Sequence, residues 1–130
     1  MPEGDRLGGG RKLWETLPVP GAGTAGSVTI GPDRKLWGVA GTTVFSVDPR
    51  RGRVLKRFVL GSTTAGGDIV ATRKALYVGM DGGRIYRIDP ESGRAPTLVV
   101  EHPLRRLGVQ GDHRLLFSDG AELFRVDLRD

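Results

Sequence analysis

The chain has no cysteine and no asparagine, and only two histidines among its 130 residues. Without cysteine, disulfides and thiolate metal sites are excluded, and the redox compartment leaves no trace. No apolar run approaches the roughly 18 residues of a membrane-spanning helix, so no membrane association is expected. Aromatic residues are scarce, at 6%. Residues 1–10 are polar and Gly-rich, without the apolar stretch of a secretory signal, and are expected to form a flexible lead-in. Nothing here specifies a localisation.

Glycine is abundant (21), proline is present (8), and 38% of residues are hydrophobic. High Gly with short, alternating β-branched runs predicts an all-β protein with many turns, and the apolar content is enough for a core. The net charge is +5, and Arg outnumbers Lys by 16 to 4. Clusters are confined to Arg50-Arg51-Gly52-Arg53 with Lys56-Arg57, and to Arg105-Arg106. No basic stripe, helix or aromatic stacking pattern accompanies them, so nucleic acid is not an expected partner.

The chain repeats about every 40 residues. Leu36-Trp37, Leu76-Tyr77 and Leu116-Phe117 are spaced by 40 and 40. Val44-Phe45, Ile85-Tyr86 and Leu123-Phe124 follow, then Val47-Asp48, Ile88-Asp89 and Val126-Asp127. A period of this size made of short β-like runs is the signature of propeller blades. Three four-stranded antiparallel blades are predicted, half or a fragment of a propeller.

One blade spans 27–60, a second 68–101, and an incomplete third 105–130. Asp48-Pro49 and Asp89-Pro90 suit the start of type I turns, with Gly52 and Gly93 placed for φ > 0. Asp81-Gly82-Gly83 and Asp119-Gly120 read as hairpin turns. The third copy stops before a fourth strand. Gly10-Arg11 matches Gly52-Arg53 and Gly93-Arg94, so residues 11–20 read as a displaced fourth strand that completes a blade. Such a permutation removes sheet edges by joining the termini. Three blades are too few for a ring, and two copies would give six. A homodimeric six-bladed ring and a piece of a longer propeller chain are both open.

Gly31-Pro32-Asp33-Arg34-Lys35-Leu36-Trp37, Ala75-Leu76-Tyr77-Val78-Gly79, and Gly83-Arg84-Ile85-Tyr86-Arg87-Ile88-Asp89-Pro90 with Gly93 resemble blade motifs of bacterial propellers. They are most similar to the quinoprotein-like, streptogramin-lyase-like and gluconolactonase-like repeats, over residues 11 to 128. The resemblance implies the architecture. It also implies an alternative function, a fragment of a lyase, lactonase or quinoprotein enzyme acting on a carbohydrate or other small molecule.

Candidate chemistry is sparse. His102 precedes a proline in a loop, and His113 stands where the first repeat has an ordinary turn. Neither has ligand-spaced partners, so no metal, cofactor or catalytic residue is expected. Asp48, Asp89 and Asp127 recur once per copy, as turn-starting residues would. Trp37, Tyr77 and Phe117 are expected at one repeat position, as core rungs between blades. A ligand site would sit at a channel mouth, carrying Asp68, Asp81, Arg105, Arg106 and Asp119, with Thr63, Thr64 and Met80 nearby. Arg105-Arg106 stand where the other copies have Thr-Ala-Gly. The expected function is a non-catalytic binding or assembly module. Its partners would be a second copy or further blades, and a small-molecule or carbohydrate ligand.

Overall fold

The computed structural model describes residues 6–7, 10–21, 25–60, 67–80, 83–102, 104 and 106–128. Among these, every regular element is a strand. Two short strands, β1 (Arg6–Leu7) and β2 (Gly10–Arg11), pair with each other. Sheet one contains β3 (Ala25–Ile30), β4 (Leu36–Ala40), β5 (Thr43–Val47) and β6 (Val54–Val59). Sheet two contains β7 (Gly67–Ala71), β8 (Leu76–Met80), β9 (Arg84–Ile88) and β10 (Thr97–Glu101). Sheet three contains β11 (Arg106–Gln110), β12 (Arg114–Ser118) and β13 (Leu123–Asp127). All three sheets are antiparallel meanders, and none closes into a barrel.

Turn residues set these meanders. At the β5–β6 corner, Asp48 Oδ1 accepts the Arg50 N–H at 3.0 Å. The Gly52 N–H then donates to the Asp48 carbonyl at 2.8 Å, and Gly52 takes φ +72°. Asp89 Oδ1 accepts from Glu91 N in the same way at 3.2 Å, and Gly93 takes φ +69°. Each Asp supplies a ready acceptor for the turn, and each Gly supplies the left-handed residue that re-enters the strand.

The sheets face one another. The first strand of each lies next to the first strand of the following one, β3 by β7 and β7 by β11. Trp37, Val39 and Val44 of sheet one meet Ile69, Leu76, Val78 and Ile88 of sheet two in one core. Tyr77 and Ile85 on the opposite face of sheet two meet Leu107, Leu115 and Phe117 of sheet three in another. Each strand splits its alternate side chains between two faces, so sheet two is apolar on both. Trp37 is fully buried and stacks on Phe58, with ring centroids 6.3 Å apart. Its indole N–H donates to Asp33 Oδ1 at 2.9 Å, which satisfies the polar edge of a buried ring.

The register corrects the expected rungs. Leu36 pairs with Val47, Leu76 with Ile88, and Leu115 with Val126. The counterpart of Trp37 and Tyr77 in sheet three is therefore Leu116, not Phe117. Because strand side chains alternate, this one-residue difference turns Phe117 back toward sheet two and leaves Leu116 on the outer face, 37% exposed.

The segment after β2 also differs from the expected strand over 11–20. Among the described residues of the chain, residues 12–17 pair with no sheet. They lie instead on the free face of sheet one, where Trp14 and Val19 pack with Ala40, Phe45 and Val47. The Trp14 indole N–H donates to the Pro49 carbonyl at 2.8 Å, and Arg57 Nε donates to the Pro18 carbonyl at 2.8 Å. Gly52 makes room for this: a Cβ there would stand 2.5 Å from the Trp14 ring.

Candidate functional site at the inner strand ends

The first strands begin side by side, and their opening residues surround a cavity of about 400 Å³. Ser27 from β3, Asp68 from β7 and Arg106 from β11 line it, together with Met80 and Leu104. The three polar residues occupy one repeat position. Each immediately precedes a member of the equivalent set Val28, Ile69 and Leu107, which pair with Gly38, Val78 and Phe117. One position thus supplies a hydroxyl, a carboxylate and a guanidinium.

The Asp68 carboxylate is fixed from two sides. Its Oδ1 accepts the Ile69 N–H at 3.1 Å, and its Oδ2 accepts the Leu107 N–H at 3.0 Å. The second bond crosses from sheet two to sheet three and couples the site to the sheet packing. A carboxylate has about four acceptor positions, so capacity for a ligand donor is left. Arg106 is exposed and supplies up to five donors in a planar fork. Gly79 lets the wall close: a Cβ there would meet Leu104 Cδ1 at 2.7 Å.

Of the five residues expected at a channel mouth, Asp68 and Arg106 come together here. Asp119 is not among the residues lining the cavity. It holds the β12–β13 turn, where its Oδ1 accepts from Glu122 N at 2.8 Å and Ala121 N at 2.9 Å. These backbone donors, Glu122 first, hold its carboxyl below the usual aspartate value. Asp81 and Arg105, with Thr63 and Thr64, lie outside the described residues. Arg106 has Asp68 and Ser27 as its counterparts, not the Thr-Ala-Gly stretch. Sequence reasoning missed Ser27 because that comparison began from the Leu-aromatic match.

Elsewhere the polar side chains serve turns and packing. His102 packs its ring against Phe124 and Phe117, with centroids at 4.4 and 5.7 Å. Arg73 clasps Asp112 through Nη2 to Oδ2 at 2.6 Å and Nε to Oδ2 at 3.0 Å. These side-chain bonds, then the bond from Arg73 N, keep the Asp112 carboxyl low, and the same pairing raises the Arg73 guanidinium. Among the described residues, no three His, Asp or Glu side chains gather as metal ligands. Comparisons with protein-family models, curated proteins and solved structures found no match to this chain.

Proposed function

We propose that the three sheets are propeller blades, and that the chain is a non-catalytic binding and assembly module forming half of a six-bladed ring. The supporting observation is the fan: each first strand lies beside the next, and their starts converge on Ser27, Asp68 and Arg106. In a ring this end is the mouth of a central channel. A donor fork and a fixed acceptor on neighbouring strands suit a small polar ligand with both donors and acceptors, such as a sugar.

A second copy supplies the remaining blades under two-fold symmetry. Light scattering behind size exclusion should return twice the 14.0 kDa chain mass over a range of concentrations. A mass of one chain throughout would overturn the ring. For the ligand, a thermal-shift screen of neutral and acidic sugars should show a rise that Arg106→Ala abolishes. A panel without any Arg106-dependent rise would overturn the mouth as a sugar site.

A further inference from the structure

The residues ahead of sheet one sit on it as β6 sits on sheet two. Lys56 Nζ of β6 donates to the Pro90 carbonyl in the β9–β10 corner at 2.8 Å. Trp14 Nε1 donates to the Pro49 carbonyl in the β5–β6 corner, also at 2.8 Å. Pro49 and Pro90 follow the equivalent aspartates Asp48 and Asp89. Trp14 and Lys56 lie at the same distance beyond Gly10-Arg11 and Gly52-Arg53. The stretch 11–19 is therefore placed as the fourth strand of a sheet standing in front of sheet one. Its exposed Leu13, Glu15 and Leu17 alternate with the anchored Trp14, as on one face of a strand.

Sheet three has the matching gap. It has three strands among the described residues, and β13 is its outer edge. Beside the end of β13 a cavity of about 490 Å³ opens against sheet two. Tyr77, Val99 and Leu128 give it apolar walls, and Arg87 and Arg94 give it two cations against the one carboxylate of Asp89. Two leucines flanking a glutamate suit those walls and that charge.

The large faces agree as well. Val28 on the front of sheet one is 56% exposed, whereas its counterparts Ile69 and Leu107 are buried, at 2% and 8%. Ile30 beside it is 54% exposed. The rear of sheet three leaves Leu116 and Leu123 exposed. The front faces of sheets two and three meet the rear face of the preceding sheet, whereas among the described residues the front of sheet one is covered only in part, by Trp14 and Val19, and the rear of sheet three by no sheet.

We infer that a second copy of this chain docks its sheet three against sheet one. Residues 11–19 of each copy then add to β13 of the other as the fourth strand. The inference rests on the ring reading and names the surface and segment that would join it. By analogy with Val44 opposite Phe58, Leu123 of one copy stands opposite Thr16 of the other. Directly paired residues of antiparallel strands lie about 4.5–5.5 Å apart at Cα, within disulfide reach.

The chain has no cysteine of its own, so the test is clean. Thr16 and Leu123 are both exposed, and replacing them spares the core. The doubly substituted Thr16→Cys, Leu123→Cys chain, oxidised mildly, should run at twice the chain mass without reductant and at the chain mass with it. Arg50→Cys with Leu123→Cys should not cross-link, since Arg50 lies in the exposed β5–β6 corner. Mixing the two single variants, Thr16→Cys and Leu123→Cys, should yield the linked pair. A dimer by light scattering with no Thr16–Leu123 link overturns the strand exchange and leaves the ring standing. A disulfide within one chain overturns the exchange between copies, and a monomer at all concentrations overturns both.

Discussion

Trp37 concentrates much of what holds sheets one and two together. It is wholly enclosed, stacked on Phe58 and hydrogen-bonded to Asp33. Replacing Trp37 by Ala removes the ring and leaves a void. Urea unfolding should show a loss of about 3–5 kcal/mol. Asp33→Ala keeps the ring but strands its N–H, and should cost about 1–3 kcal/mol. Equal costs for the two substitutions would mean that the hydrogen bond, not the packing, dominates at this site.

The two lowered carboxyls predict how stability responds to acid. Asp112 is held low by Arg73, and Asp119 by the Glu122 and Ala121 backbone. For a carboxyl whose folded pKa lies below its unfolded one, the contribution is complete above the ordinary aspartate range. It is lost as pH falls through the folded value, here below about pH 4. The Arg73 clasp is at the surface, the Arg73 side chain 88% exposed, so its share is small and weakened by salt. Melting temperatures should therefore fall between pH 5 and pH 2, and Asp119→Asn should flatten that slope more than Asp112→Asn in 0.5 M salt.

At the scale of elements, the two corner glycines form a natural comparison. Gly52 and Gly93 both adopt φ near +70°, but only Gly52 has a neighbour, the Trp14 ring. Gly93→Ala should cost only the backbone strain, about 1 kcal/mol. Gly52→Ala adds the clash, should cost more, and should shift tryptophan fluorescence as Trp14 is dislodged. Equal costs in urea with unchanged fluorescence would show that Trp14 does not rest on this corner.

Strand order and the Asp-Pro…Gly corners were legible in the sequence because both follow from local turn chemistry and period-two alternation. The third copy was misread by one residue, and the cause is also local. The β8–β9 connection has three residues between paired ends and the β4–β5 connection two, but the stretch from Ile88 to Leu115 is two residues shorter than that from Val47 to Leu76. Turn lengths that vary by one shift a repeat without changing its strands. The pairs Val47-Asp48, Ile88-Asp89 and Val126-Asp127 are spaced by 41 and 38, and already disagreed with the Leu-aromatic spacing of 40 and 40. Counting back from Val126 leads to Leu115. That frame also aligns Ser27, Asp68 and Arg106, so Ser27 was hidden by the same slip. The position of residues 11–20 was half legible. Their kinship to a fourth strand was visible, but their seat depends on the Trp14–Pro49 contact, a tertiary fact.

At the scale of the whole molecule, the sheets stack in one direction, front to rear, so the two outer faces differ in kind. Such a stack either continues or closes on itself, and a self-complementary pair of copies closes it with the fewest parts. The polar set Ser27, Asp68 and Arg106 would then appear twice around the channel, each residue opposite its own twin. A ligand spanning the axis would meet two carboxylates and two guanidiniums in alternation.

Among the described residues the cores on the two sides of sheet two share none. Damage on one side reaches the other through the backbone of sheet two and through the bond from Leu107 N–H to Asp68. Sheet three consequently rests on sheet two through a core of its own. A foreign three-stranded meander grafted in its place has to match the surface around Tyr77 and Ile85, offer a backbone N–H to Asp68 and supply a cation where Arg106 stands.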